Sequence, residues 1–239
     1  MRLGRPRTKR GAGLAIGGTV LVVALAGFAF IYFVLFPTSS PKPFSLSSTV
    51  AAAPVSPATT LAGHWAVATG SQAGYRVREK LGFLPAESDA VGRTSEITGD
   101  VLVAESGHRV TITAAAFTVA VNTLKSNEAM RDQHIQTIGL QSATYPKATF
   151  ALSNPIRLPA AALGGGVIDV PVTGVFVIHG TSRRLTIPVQ MRLSNSAIDA
   201  VGSLTFPWSE FGMTAPSVGG FVNVTSHATM EFDLHLRHA

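Results

Sequence analysis

Residues 222–236 alternate between two kinds of side chain. The even positions read Val222, Val224, Ser226, Ala228, Met230, Phe232, Leu234 and Leu236, apolar or small; the odd ones are Asn223, Thr225, His227, Thr229, Glu231, Asp233 and His235, all polar. A period of two sustained over that length is the signature of one long strand with a dry face and a wet face. Strands of parallel sheets are usually covered on both faces, so a wet face implies antiparallel pairing.

The same phasing recurs upstream. Leu185, Ile187, Val189, Met191 and Leu193 alternate with Thr186, Pro188, Gln190 and Arg192. Ala73/Tyr75/Val77, Ala148/Phe150/Leu152, Ile168 to Ile178 and Ile198 to Phe206 behave alike. Between residues 108 and 121 the dry phase shifts from Val110 and Ile112 to Phe117, Val119 and Val121, which predicts a bulge. Only residues 126–138 look helical, with Ser126 or Asn127 as N-cap and Met130, His134, Ile135 and Ile138 on one side. The expectation is an all-β domain of about eight antiparallel strands with one short helix, closing as paired sheets or as a barrel. Several dry-face positions are small: Ala73, Ala148, Gly174, Ala200, Gly202 and Ala228. Small inward residues leave room and favour a hollow barrel; alternatively they mark bulges and close backbone approach.

The first sixty residues differ in kind. Residues 1–10 form a basic tip with Arg2, Arg5, Arg7, Lys9 and Arg10. Residues 11–36 are an uncharged, almost wholly apolar run, which as a helix would extend about 39 Å against a hydrocarbon core of about 30 Å. The expected reading is a single-pass signal anchor with a cytoplasmic N-terminus and an extracytoplasmic C-terminal domain. The nearest small-residue cleavage motif, Ala51-Ala52-Ala53, lies too far beyond the run for an ordinary signal peptide. Residues 37–60, rich in Pro, Ser, Thr and Ala, read as a linker with a random-coil reach of about 25–30 Å. Residues 61–239 form the folded domain. Six of the 19 Lys and Arg precede Leu61, so the remaining 13 balance the 13 Asp and Glu, and this neutral body argues against nucleic-acid binding.

The order of several short segments resembles the YceI-like, polyisoprenoid-binding family. Trp65-Ala66-Val67 precedes residues 70–77 (GSQAGYRV), and Val91-Gly92-Arg93-Thr94 leads into Ile97-Thr98-Gly99-Asp100. Arg131-Asp132-Gln133-His134-Ile135 is similar to the family's Arg-Asp-x-His-Leu helix, and Tyr145-Pro146 with Phe150 to a Tyr-Pro-x-x-x-Phe strand entry. Residues 172–181 resemble a Gly-x-Leu-x-Ile-x-Gly-x-Thr hairpin, and Ser209-Glu210-Phe211-Gly212-Met213 an Asp-Phe-Gly-Ile/Met segment with Glu for Asp. The resemblance implies a lipocalin-like barrel whose apolar interior accepts an isoprenoid, quinone or other long-chain lipid.

On that reading the expected lining includes Phe117, Phe150, Phe176, Ile178, Leu204, Phe206, Phe211 and Met213, each of which could equally belong to a packed core. Arg183 and Arg184, after the Gly180-Thr181 turn, could meet a phosphate head group at the barrel mouth, although such a hairpin pair is more often simply solvated. The chemistry expected is binding rather than catalysis. Asp132 and His134 are two apart on a helix and do not face each other, and no nucleophile-elbow, phosphate-loop or H-E-x-x-H motif occurs. The chain has no Cys, and its scattered His do not suggest three or four converging metal ligands, so neither metal nor cofactor is expected. The competing reading is an envelope interaction or structural module with a packed, ligand-free interior.

Overall fold

The alternating segments become strands because one side of each is apolar and can be buried only by curling the sheet on itself. The computed structural model describes residues 40–47, 52–81, 87–107, 109–218 and 222–239. The basic tip and the expected anchor over residues 11–36 lie outside the described residues, as does His108. Among the described residues no helix is long and apolar enough to cross a membrane.

Twelve strands run in order: β1 (Gly63–Val67), β2 (Gln72–Leu81), β3 (Glu87–Thr94), β4 (Ile97–Ser106), β5 (Arg109–Ala120), β6 (Lys147–Leu152), β7 (Ile156–Arg157), β8 (Ile168–Ile178), β9 (Thr181–Leu193), β10 (Ile198–Pro207), β11 (Ser217–Val218) and β12 (Val222–His238). Among the described residues one α-helix, α1 (Ala129–Thr137), lies between β5 and β6. Eight strands close an antiparallel ring, β1-β4-β5-β6-β8-β9-β10-β12, sealed where Trp65, Ala66 and Val67 of β1 pair with His238, Arg237 and Leu236 of β12. The β2–β3 hairpin continues from the N-terminal stretch of β12, beyond the part that pairs with β1.

The long alternations predicted from sequence are present. In β8, Ile168, Val170, Gly174, Phe176 and Ile178 are buried; in β9, Ile187, Val189, Met191 and Leu193 are. The expected bulge falls at Thr113, which the β4–β5 ladder skips between the Leu102–Ala114 and Val103–Ile112 pairs. Two positions of β12 break the simple rule. Ser226, expected on the dry face, is exposed within an irregularity between Val224 and Ala228. Glu231, expected on the wet face, is only 3% exposed.

Glu231 pairs with Arg76 and Arg93, and the same two arginines hold the segment expected to be a free linker. Arg76 Nη2 donates to the Pro41 carbonyl at 2.7 Å, and Arg93 Nη2 to the Lys42 carbonyl at 2.6 Å. The Arg93 guanidinium also lies 3.8 Å from the centre of the Phe44 ring. Farther on, the Ala52 and Val55 amides donate to the carbonyls of Gly165 and Leu163 at 2.9 and 2.8 Å, and the Ser56 amide to Asn195 Oδ1 at 2.7 Å. Residues 41–47 and 52–60 thus run along the barrel exterior, and the random-coil reach does not apply to them. Their own apolar content is low, but the barrel supplies partners for their backbone groups.

The helix also differs from expectation. Its N-cap is Glu128, whose carboxylate accepts from the Met130 amide at 3.3 Å, while Ser126 is held by Asp132 Oδ1 through its amide at 2.9 Å and its hydroxyl at 2.8 Å. Met130 and Ile138, expected to pack, are 63% and 41% exposed. The inward residues are Arg131, His134 and Ile135, because α1 lies over the end of β2 where the inward Glu79 needs a cation.

On the outer face, Asp233 carries a buried Oδ1 without a hydrogen bond, 3.7 Å from His235 Nε2. Burial pushes its carboxyl above the ordinary Asp range; His235 opposes the shift and Asp199 adds to it. A carboxyl with a raised folded-state pKa binds its proton more tightly folded than unfolded. It therefore weakens the fold at neutral pH, and the penalty fades as pH falls through the folded value. Asp233→Asn is expected to match or exceed the parent's stability at pH 7 and to lose that advantage below about pH 3.9, which thermal melts at both pH values would check.

Candidate functional site

One end of the barrel is filled. Trp65, Leu61, Leu193, Ile198 and Leu236 are there essentially inaccessible, and Trp65 Nε1 donates to the Leu61 carbonyl at 2.8 Å, satisfying the only polar atom of its side chain. Toward the other end, Phe206 and Phe211 meet edge to face at 4.8 Å and Phe176 and Phe211 at 5.5 Å. Between these two clusters lies a cavity of about 230 Å³ with an almost wholly apolar wall.

The small inward residues explain why space remains, but in two ways. Ala73, Ala148, Ala200 and Ala228 line the cavity and leave volume unfilled. Gly174 and Gly202 do not: a Cβ on the first would run into the Phe150 ring, and one on the second into the Phe232 ring. Each of these glycines admits an aromatic ring from the neighbouring strand, the close approach that a glycine in a strand permits. Alanines make the hollow, and glycines let large rings wall it.

Of the eight residues proposed from sequence as lining, Phe117, Phe150, Phe176, Ile178, Phe206 and Met213 are on the cavity wall. Phe211 is completely buried behind it, supporting Phe176 and Phe206, and Leu204 packs against both core clusters without joining the wall. Phe211 follows the strands in a 3-10 turn (Trp208–Phe211), so strand periodicity could not place it. Arg183 and Arg184 are exposed and do not line the cavity.

Sequence reasoning missed the polar end of the site. Glu79 shares the inward face of β2 with Ala73, Tyr75 and Val77, and Arg131 of α1 donates to its Oε1 from Nη2 at 2.6 Å. Arg131 Nη1 donates to Asn127 Oδ1 at 2.8 Å. The ring of Tyr75 occupies the space a Cβ on Gly92 would need. Its hydroxyl is buried beside the Ser126 hydroxyl, which is itself engaged with Asp132 and the Glu128 carbonyl. Burial holds the phenol well above its ordinary pKa, Arg131 opposing, so it remains an O–H donor at any physiological pH. The available signal was the alternation itself: carried two residues past Val77, it turns Glu79 inward. His134 lines the cavity, whereas Asp132 does not and instead fixes Ser126, so the two do not act as a pair. Among the described residues no three His, Asp or Glu converge as metal ligands.

Comparisons with known proteins agree with this architecture. A polyisoprenoid binding domain from Saccharophagus degradans, implicated in plant cell wall breakdown, superposes with a TM-score of 0.56 at 15% identity, covering 74% of this chain and 99% of that one. BcnA of Burkholderia cenocepacia gives 0.48 at 21% identity, covering 68% of this chain and 95% of that one. The Campylobacter jejuni YceI protein gives 0.48 at 14% identity, covering 62% and 84%. No curated protein matches the chain in sequence. The sequence model of the YceI-like domain matches residues 65–236, which runs from within the ring's first strand to within its last, and the chain belongs to that family.

Proposed function

We propose that this chain is a lipid-binding protein that encloses the tail of an isoprenoid, quinone or similar long-chain amphiphile in the barrel. The observation that carries the reading is the cavity of about 230 Å³, walled almost wholly by carbon. A dry apolar hollow forgoes contacts on its open side, and a hydrocarbon guest restores them. At about 0.8 kcal/mol per buried methylene, a dozen enclosed carbons contribute roughly 10 kcal/mol before ordering costs. No catalytic group is needed. The polyisoprenoid-binding relative from Saccharophagus degradans supports the same ligand class, and the volume left open argues against a purely structural interior.

The proposal extends to location. The basic tip and the apolar run over residues 11–36 support a single-pass anchor with a cytoplasmic N-terminus and an extracytoplasmic barrel, where a carrier would exchange its guest with a bilayer. The test is organic extraction of the purified full-length chain followed by mass spectrometry. The expected result is a long-chain lipid approaching one per chain. A chain that is lipid-free as purified, and stays so after incubation with isoprenoid and acyl lipids, would overturn the proposal.

A further inference from the structure

The helix over the cavity has its amphipathic pattern reversed. α1 sends Arg131, His134 and Ile135 to the cavity wall, while Met130 and Ile138 are 63% and 41% exposed. Among the described residues the other exposed large apolar side chain is Val175. A helix that faces water ordinarily turns its apolar residues to the core and its charges outward. Here Arg131 takes the inward place because Glu79 needs it, at 2.6 Å, and the apolar pair is left outside.

Basic side chains flank this face. Lys125, just before α1, has 70% of its side chain exposed. Lys147 opens β6 and is exposed. The β8–β9 turn lies beside it: the His179 ring is 4.4 Å from the ring of Tyr145, and the exposed Arg183 follows soon after Gly180. No carboxylate of the described residues pairs with Lys147 or Arg183. The carboxylates at this end are largely engaged, Glu79 with Arg131, Asp132 with Ser126 and Glu128 as N-cap, which leaves Glu210. Trp208, half-exposed on the same end, donates from Nε1 to the Thr225 carbonyl at 2.9 Å. Exposed apolar side chains, a tryptophan and unpaired cations on one surface are what the head-group layer of a membrane accepts.

We infer that the outward face of α1, flanked by Lys125, Lys147 and Arg183, docks on an anionic bilayer surface. Met130 and Ile138 enter the head-group layer and the cations meet lipid phosphates. The inference rests on the lipid-binding reading above: the end holding Trp65 and Leu193 is filled, so a guest drawn from a bilayer has to come in at the α1 end, and docking presents that end to its source.

The chain has no Cys, so single cysteines can be labelled uniquely. Gln133→Cys on the exposed side of α1 and Ser196→Cys in the β9–β10 turn at the filled end would each carry a nitrobenzoxadiazole fluorophore on the full-length chain. The chains are placed in nanodiscs of phosphatidylcholine and phosphatidylglycerol in equal parts, with a spin-labelled lipid as quencher. Both labels share the same attachment to the disc, so a difference between them reads orientation. Quenching at Gln133 is expected to exceed that at Ser196 roughly threefold or more, and to fall toward it in phosphatidylcholine alone, in high salt, and in Met130→Asp/Ile138→Asp, whose thermal melt stays at the parent's. Equal quenching at the two positions overturns the docking while leaving lipid binding intact. So does a Gln133 label that turns apolar without being quenched, since the face is then covered by protein, a second copy included. Failure to recover any lipid in the extraction described above overturns the lipid-binding reading and with it the reason for docking, whichever label is quenched.

Discussion

Ala148→Trp is expected to empty the barrel of its lipid while leaving the barrel folded. Ala148 lies on β6, is 6% exposed, and faces the cavity with a methyl group opposite Val119 of β5. A larger side chain in a close-packed core costs about 1–3 kcal/mol because neighbours must move. Here an indole has unfilled space to enter, so the cost to stability falls at or below the low end of that range. The cost to binding is larger. An indole that displaces about four methylenes of the guest removes about 3 kcal/mol, or roughly 100-fold in affinity. Extraction of parent and variant with a matched internal standard, alongside far-UV circular dichroism and a thermal melt, separates the two effects. A folded variant that keeps its lipid would show that the guest lies elsewhere.

The largest effect on stability is expected from Glu231→Ala. Glu231 is 3% exposed and accepts from Arg93 Nη2 at 2.7 Å, Arg93 Nε at 3.0 Å and Arg76 Nε at 3.3 Å, tying β12 to β2 and β3. The same two arginines hold the carbonyls of Pro41 and Lys42. Removing one member of a buried charge cluster leaves its partners desolvated and uncompensated, at a cost of about 3–5 kcal/mol. Urea unfolding should therefore show a midpoint far below that of the parent. It should be accompanied by increased protease cleavage within residues 41–47, since the segment loses its anchorage with the cluster. An unfolding free energy within about 1 kcal/mol of the parent's would mean that the cluster contributes little net stability.

The period of two was enough to read the sheet and which way its strands face. Ile187, Val189, Met191 and Leu193 follow it, and the shift of phase around Thr113 located the bulge. What the period could not tell is whether the outward face meets water or another piece of chain. Glu231 and Val91 face outward and are buried. Glu231 is held by Arg76 and Arg93, which also bind the carbonyls of Pro41 and Lys42, in a segment whose composition alone suggested no structure. The orientation of α1 escapes its own apolar pattern for a related reason. Its apolar Met130 and Ile138 invited an inward orientation, yet a single buried carboxylate, Glu79, decided the matter in favour of Arg131. Hollowness was legible from small residues but not its cause, because alanine and glycine look alike in a pattern of sizes. Only the partner strands show that Phe150 and Phe232 fill the space at Gly174 and Gly202 while Ala73 and Ala200 face a void. Neither hydrophobicity nor alternation distinguishes residues that line a cavity from residues that support its lining, as Phe211 and Leu204 do.

The central claim, a lipid tail inside the barrel, is tested most directly by photo-crosslinking. The full-length chain would be loaded with an isoprenoid carrying a diazirine near its tail end, irradiated and mapped by peptide mass spectrometry. Adducts on Phe117, Phe150, Val189 or Met191, competed away by unlabelled isoprenoid and absent in Ala148→Trp, are the expected result. Adducts confined to exposed positions such as Met130, Ile138 and Val175, insensitive to competitor, would contradict it.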